Sequence, residues 1–229
     1  MKNITGLLRF SVFALLCFFL ACDKPASVTI GTQAWMTENL NTTRFRNGDP
    51  IPVCKNFSEW ERLSEAGMPA CAAYDFDRAN RKKYGLLYNW YAVSDPRGLA
   101  PEGYRIPELE DFLELLFLAG GSDPYDSEGA ARALGPGGDS GFNARFGGWG
   151  CREADPRFGI GVFAEIGQNA AFWTSTENGT SAAWNMEIGS TLRSDTEGAY
   201  LDGSSSKHLL FSVRCILVTP TSDAENDQL

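Results

Sequence analysis

The chain has 229 residues, and its 29 Asp and Glu outweigh 20 Lys and Arg to leave a net charge of −9 at neutral pH. So acidic a balance argues against nucleic acid as a partner, because neutralising phosphates requires a basic patch and none stands out along the chain. With 15 Phe, 7 Tyr and 6 Trp it can build one domain with a substantial core, while 24 Gly and 11 Pro imply a loop-rich body.

Lys2 and Arg9 precede an apolar run from Phe10 to Ala21, and Cys22 follows the step Phe19-Leu20-Ala21. This is the order of an export signal: charged region, apolar region, small-residue cleavage site. The run is too short to span a bilayer comfortably, which takes about 20 apolar residues. We expect residues 1–21 to be a lipoprotein signal, Cys22 to be the lipidated N-terminus, and residues 22–27 to be a short tether. Phe19 stands where such signals usually carry Leu, and an ordinary secretory signal or an uncleaved anchor is the competing reading. The expected location is the cell envelope, lipid-anchored at the outer membrane or cell surface.

Val28 to Leu40 alternates apolar and polar residues in strand fashion, with Val28, Ile30 and Trp35 as expected core positions. Ser58 with Glu61 predicts a capping box, with Trp60 and Leu63 on one face and Gly67 closing a short helix. The aromatic run Gly85–Val93 predicts a buried strand. Pro107 is expected at the first position of the longest helix, in which Leu109, Phe112, Leu113 and Leu116 share a face and Gly120-Gly121 form the end. Glu108, Glu110, Asp111 and Glu114 fall on its solvated side. Ser127 to Leu134 predicts another short helix, and residues 135–167 a glycine-rich excursion carrying Trp149 and Cys151. Short strands are expected at Ala171–Thr176, Ala183–Ile188 and Leu209–Val218, and residues 219–229 form a polar tail. Early strand, central helices and late strands describe an α+β domain whose first and last strands pair.

Six ordered segments resemble the Fibrobacter succinogenes major paralogous domain: residues 30–40 (IGTQAWMTENL), 47–52 (NGDPIP), 84–93 (YGLLYNWYAV), 100–107 (APEGYRIP), 172–177 (FWTSTE) and 211–215 (FSVRC). The resemblance covers about residues 28–218. It implies an exported, often lipidated protein of the kind found in Bacteroidetes and Fibrobacteres, with no established activity. It also implies a C-type-lectin-like fold, with two main helices and short mixed or antiparallel strands joined by long loops. That fold class includes the formylglycine-generating enzymes and the variable proteins written by diversity-generating retroelements.

Cys54, Cys71, Cys151 and Cys215 remain once the signal and Cys22 are set aside, and an even number in an exported chain suggests two disulfides. None of the spacings is that of a zinc knuckle. The resemblance favours Cys71 with Cys215, since members tend to carry cysteines at matching places, and leaves Cys54 with Cys151. A shorter Cys54–Cys71 loop is the competing pattern.

For function, the single histidine, His208, leaves little from which to build a nucleophilic triad, and the nucleophile-elbow and zincin motifs are absent. Arg214-Cys215 resembles the end of the formylglycine-generating enzymes but lacks a nearby second cysteine, so no catalytic residue is expected. Trp184-Asn185 is followed by Met186, where a sugar-binding lectin would carry Asp to complete its calcium shell, so no metal or other cofactor is expected. An unrelated cation site at Asp195, Glu197 and Asp202 competes with the reading of these as an acidic solvent loop. Residues 185–208 are mostly polar, small or aromatic, as suits a binding surface above a rigid core. The candidate ligand contacts are Asn185, Glu187, Arg193, Asp195, Tyr200, Asp202, Lys207 and His208. Trp173 and Trp184 are expected in the core, or else as a sugar-stacking platform. The expected function is a lectin-like recognition domain on a lipoprotein, binding a polysaccharide or a partner protein, with a retroelement-diversified receptor as a special case. The alternative is a structural component of the envelope with no dissociable ligand.

Overall fold

The computed structural model describes residues 24–123, 127–151, 162–191 and 194–218, with backbone alone for residue 191 and residues 194–197. Strands β1 (Ser27–Ile30) and β2 (Gln33–Met36) form an antiparallel hairpin. The single strand expected over Val28–Leu40 is broken because Gly31 turns the chain at φ 59, in the left-handed region that favours glycine. Ile30 and Trp35 are buried and Val28 is half-buried.

Helix α1 (Phe57–Glu65) starts two residues earlier than the pattern predicts, and the Ser58–Glu61 capping box is replaced. Its cap is Asn56, whose Oδ1 accepts the Glu59 N–H at 2.9 Å, while the Glu59 carboxylate accepts the Lys55 N–H at 2.8 Å. Trp60 and Leu63 are buried on one face, and Gly67 follows the helix. Strand β3 (Cys71–Ala72), a 3-10 turn (Tyr74–Phe76) and helix α2 (Arg78–Tyr84) lead to β4 (Leu87–Tyr88), which pairs with β3. The strand expected through Val93 stops at Tyr88. Asn89 caps helix α3 (Trp90–Val93): its Oδ1 accepts N–H groups of Ala92 and Ala70, and its Nδ2 donates to the Met68 carbonyl. These bonds commit the backbone to a turn that apolar patterning alone does not reveal.

After β5 (Tyr104–Arg105), helix α4 (Leu109–Leu118) begins at Glu108, so Pro107 sits just before the cap. Phe112, Leu115 and Leu116 are buried and Leu109 and Leu113 half-buried, close to the expected stripe. Asp111 is not merely solvated: its carboxylate takes two bonds from Arg105 at 2.5 and 2.7 Å. Helix α5 (Glu128–Leu134) forms where a short helix is expected, with Ser127 as its cap. The glycine-rich excursion contains a two-residue pairing of β6 (Trp149–Gly150) with β7 (Phe163–Ala164).

β8 (Asn169–Asn178), β9 (Ala182–Thr191) and β10 (Ser194–Ser206) form an antiparallel sheet in the order β10-β9-β8. Two of these late strands, β8 and β9, are longer than the sequence suggests, β10 is not expected from it, and the strand expected over Leu209–Val218 is reduced to two residues. The last strand, β11 (Ile216–Leu217), is short, and lies between β2 and β5 in the sheet β1-β2-β11-β5. The first hairpin and the last strand therefore pair, through Ile216 opposite Trp35. Helices and antiparallel strands together make an α+β architecture.

Three apolar clusters fill the interior. One, containing Trp90, Trp173, Phe211 and Val213, lies on one side of β8, and a second, with Trp35, Phe112, Phe142, Phe172 and Ile188, on the other. A third gathers Trp60, Tyr74, Phe163 and Leu210 beneath α1. The indole N–H groups of Trp35, Trp60, Trp90 and Trp173 all find oxygen acceptors at 2.8–3.1 Å, which removes the cost of burying them.

Candidate ligand-recognition face

The register of β9 and β10 sets Glu187 opposite Tyr200 and Asn185 opposite Asp202. Since side chains alternate along a strand, these four share one face of the sheet, and directly opposed residues lie within reach of each other. The Tyr200 hydroxyl donates to Glu187 Oε2 at 2.5 Å, and Asn185 Nδ2 donates to Glu187 Oε1 at 3.4 Å. Asp202 Oδ1 accepts both the backbone N–H and the hydroxyl of Ser204, at 2.7 and 2.6 Å, and so steadies the irregularity between Asp202 and Ser205. Glu187, Tyr200 and Asp202 are half-buried. The arrangement offers carboxylate acceptors, a phenol and an aromatic ring on a fixed frame.

Behind this row sit polar groups without partners. Asn185 is 0 % exposed, which corrects its placement among direct ligand contacts, and its Oδ1 makes no hydrogen bond. Asn169, on β8 opposite Gly189, is likewise 0 % exposed, and neither its Nδ2 nor its Oδ1 is bonded. A buried polar atom left unpaired costs about 1–3 kcal/mol, so such atoms in a native fold call for a reason. Asn169 was missed in the sequence; its only signal is a lone amide at the head of an otherwise apolar run, Asn169-Ala-Ala-Phe-Trp173. Gly189 opposite it has φ 121, and a Cβ there would stand 2.2 Å from the Gln168 carbonyl oxygen, so only glycine fits.

The other candidates fall elsewhere. Lys207 is 4 % exposed and does not face solvent. Its ammonium bonds Glu177 and the carbonyls of Gly179 and Thr180, and lies 4.7 Å from the Trp90 ring centroid. All three of its N–H donors are thus spent on the β8–β9 turn, which makes it a latch within the fold and corrects its placement among ligand contacts. His208 is half-buried with its ring edge-on to Tyr91 at 5.6 Å, and its carbonyl receives the Trp60 indole N–H. Cys22 and Arg193 lie outside the described residues, as do the side chains of Asp195 and Glu197. Trp173 is wholly buried, whereas Trp184 is half-buried and lies over Gly203, where a Cβ would come within 2.8 Å of the indole.

The cysteines also depart from expectation. Cys54, Cys71 and Cys215 are thiols, so neither the Cys71–Cys215 nor the Cys54–Cys151 bridge is formed in the structure. Cys54 is instead a backbone neighbour of Cys71, donating its N–H to the Cys71 carbonyl at 2.8 Å, while Cys151 follows β6 with its N–H on the Val162 carbonyl. Burial pushes the Cys54 thiol up to about 11 and those of Cys71 and Cys215 to about 12, which leaves almost no thiolate at neutral pH. Beside Cys215, the guanidinium of Arg214 is fully buried without a carboxylate. Asn39 Oδ1 and the carbonyls of Met36 and Phe142 accept its bonds, and the rings of Phe142 and Phe172 lie 4.6 and 5.6 Å away. Burial lowers its pKa to about 9, still protonated at neutral pH.

Among the described residues no cluster of three His, Cys, Asp or Glu could hold a metal ion, and no helix is long and apolar enough to cross a membrane. A separate open cleft of about 730 Å³ lies between the C-terminal ends of α4 and α5, lined by Leu118, Arg132, Pro136 and Asp139 among others, away from the polar face.

Fold and site define an α+β domain in which β8 is packed on both sides while Glu187, Tyr200 and Asp202 stay half-open on one side of β9 and β10. The sequence profile of the Fibrobacter succinogenes major domain matches residues 28–217, and the chain belongs to that family. No curated protein and no solved structure matches it.

Proposed function

We propose that the protein is a cell-envelope lipoprotein, attached through Cys22, that recognises a polysaccharide or a partner protein on the exposed face of β9 and β10. The observation that carries this reading is the half-open row of Glu187, Tyr200 and Asp202, backed by the wholly buried Asn185 whose amide donates to Glu187. Carboxylate, carboxamide and phenol on a rigid sheet suit the hydroxyl groups of a sugar, and Tyr200 supplies apolar area at small entropic cost. A C-type-lectin-like fold, which the resemblance implies, would use its late hairpins in the same way. Protonated, buried thiols and a half-buried His208 favour recognition over nucleophilic chemistry. Attachment is supported by the short apolar run ending at Ala21-Cys22.

A glycan and envelope-protein array probed with wild type and Glu187→Gln tests the recognition reading. Wild type should bind a defined subset of spots and the variant should lose most of that signal; equal binding by both would place the site elsewhere. For the attachment, cells fed a palmitate analogue should label wild type and not Cys22→Ser, and equal labelling would end that part of the reading.

A further inference from the structure

The net charge of −9 conceals one concentrated exception. Helix α2 reads Arg-Ala-Asn-Arg-Lys-Lys-Tyr, four cations in seven residues with no carboxylate among them. Some of this compensates the helix dipole, since Arg81, Lys82 and Lys83 occupy its last turn. The dipole does not account for all of it. Arg78, Lys82 and Lys83 are exposed, and among the described residues none of them forms an ion pair. Arg145 joins the same patch by donating to the Lys83 carbonyl at 2.9 Å. The nearby carboxylates are engaged or set apart: Glu38 pairs with Arg145 at 2.6 Å, Asp77 caps the helix through the Ala79 N–H, and Asp75 lies in the preceding 3-10 turn.

The position of α2 gives the patch its meaning. The chain enters the domain at Lys24–Ala26, where the Ala26 carbonyl accepts the N–H of Thr37 at 3.0 Å. The residues just after Thr37 are those that hold α2: Glu38 takes Arg145, Asn39 Nδ2 donates to the Tyr84 carbonyl at 3.0 Å, and Asn41 Oδ1 accepts from Arg81 at 2.7 Å. The end of α2 is thus fixed about two residues of backbone from the entry point. From Cys22 to Lys24 the chain reaches at most about 7 Å when fully extended. In a domain attached at Cys22, Lys24 is therefore held within about one Debye length, 8–10 Å, of the headgroups, and the contacts through Thr37 and Asn39 keep the C-terminal end of α2 on the side of the domain near that entry point.

We infer that the α2 face, with Arg145, is a docking surface for the anionic bilayer that carries the protein, and orients the domain on it. This rests on the proposed attachment of the N-terminus to a membrane. Each cation near an anionic leaflet strengthens association about fivefold, enough for three or four of them to select one orientation of an otherwise repelled, acidic domain.

The test reconstitutes the full chain into vesicles of phosphatidylcholine, alone or mixed with phosphatidylglycerol, and follows labelling of Lys82 and Lys83 by a membrane-impermeant amine reagent against the exposed Lys55. Labelling of both should slow about fivefold or more on the mixed vesicles only, and high salt should restore it. Equal rates on the two compositions would overturn the inference. Should the chain wash off phosphatidylcholine vesicles, the attachment reading has failed, and retention on the mixed vesicles then reads the patch by itself: retention lost in the Arg78→Gln, Lys82→Gln, Lys83→Gln variant supports the docking surface, and elution of wild type refutes it. An unchanged melting temperature in that variant shows that its charge, not its fold, was altered.

Discussion

The two faces of the β9–β10 hairpin are built by the same twenty-odd residues and behave in opposite ways. On one, Met186, Ile188, Ala199 and Leu201 are at most 5 % exposed and join Phe112, Phe172 and α5 in a single apolar cluster. On the other, Glu187, Tyr200 and Asp202 remain half-open above the buried Asn185. Strand alternation lets one segment be both core and display, so changes on the display side need not disturb the packing beneath. A segment that reads as polar on average thus gives alternate side chains of β9 and β10 to the core.

The largest effects should come from the packed face. Phe172 is fully buried, edge-on to Phe142 at 5.9 Å and 5.6 Å from the Arg214 guanidinium, so Phe172→Ala removes a ring and exposes a buried cation to a cavity. We expect a loss of about 3–5 kcal/mol in urea unfolding, and Leu201→Ala should cost about 2–5 kcal/mol. Asp202→Ala, one residue along on the opposite face, should cost no more than about 1 kcal/mol. Comparable losses at Leu201 and Asp202 would erase the distinction between the faces.

What the sequence made legible was whatever depends on local spacing. The Trp60–Leu63 pair, the stripe on α4, the short helix α5 and the apolar pairs around Phe172 and Phe211 each follow from a residue and its near neighbours. That the first and last strands pair followed from the order of elements, while the register of Trp35 with Ile216 did not. Polar residues taken into the interior by distant partners were not legible. Asn89 ends β4 because Met68 and Ala70 are waiting for its amide, and Arg214 is tolerated because Met36 and Asn39 from one segment and Phe142 from another present oxygens to it. Along β9 and β10, the apolar residues of the packed face stand singly between polar ones, so average composition described the hairpin as wholly exposed. The cations of α2 were in plain view, but the net charge averaged them away.

Lys207 provides an intermediate case, because it was read as a contact on the display side and is instead spent inside. Replacing it by Met keeps the stem over Trp90 and removes the ammonium, leaving the Gly179 and Thr180 carbonyls without their donor. Lys207→Met should lower stability by about 1–3 kcal/mol, measured by urea unfolding, and loosen the β8–β9 turn enough to raise amide exchange there. A change within about 0.5 kcal/mol would return Lys207 to the set of surface residues open to a ligand.

The smallest effect on stability is expected where the effect on recognition is largest. Tyr200→Phe keeps the ring and deletes one hydroxyl, whose bond to Glu187 at 2.5 Å is made on the half-open side of the sheet. Water can replace that donor at Glu187, so unfolding should change by about 1 kcal/mol or less. Binding is a different matter. If Tyr200 and Glu187 together present a preformed donor and acceptor to the ligand, loss of the hydroxyl frees the carboxylate to move and removes one polar contact, and affinity for whatever the array identifies should fall about tenfold, equivalent to about 1.4 kcal/mol. Calorimetric titration of wild type and variant with that ligand decides it. Unchanged affinity with unchanged stability would mean that the Tyr200–Glu187 pair is surface decoration, and would move attention to the cleft between α4 and α5, whose lining shares no residue with this face.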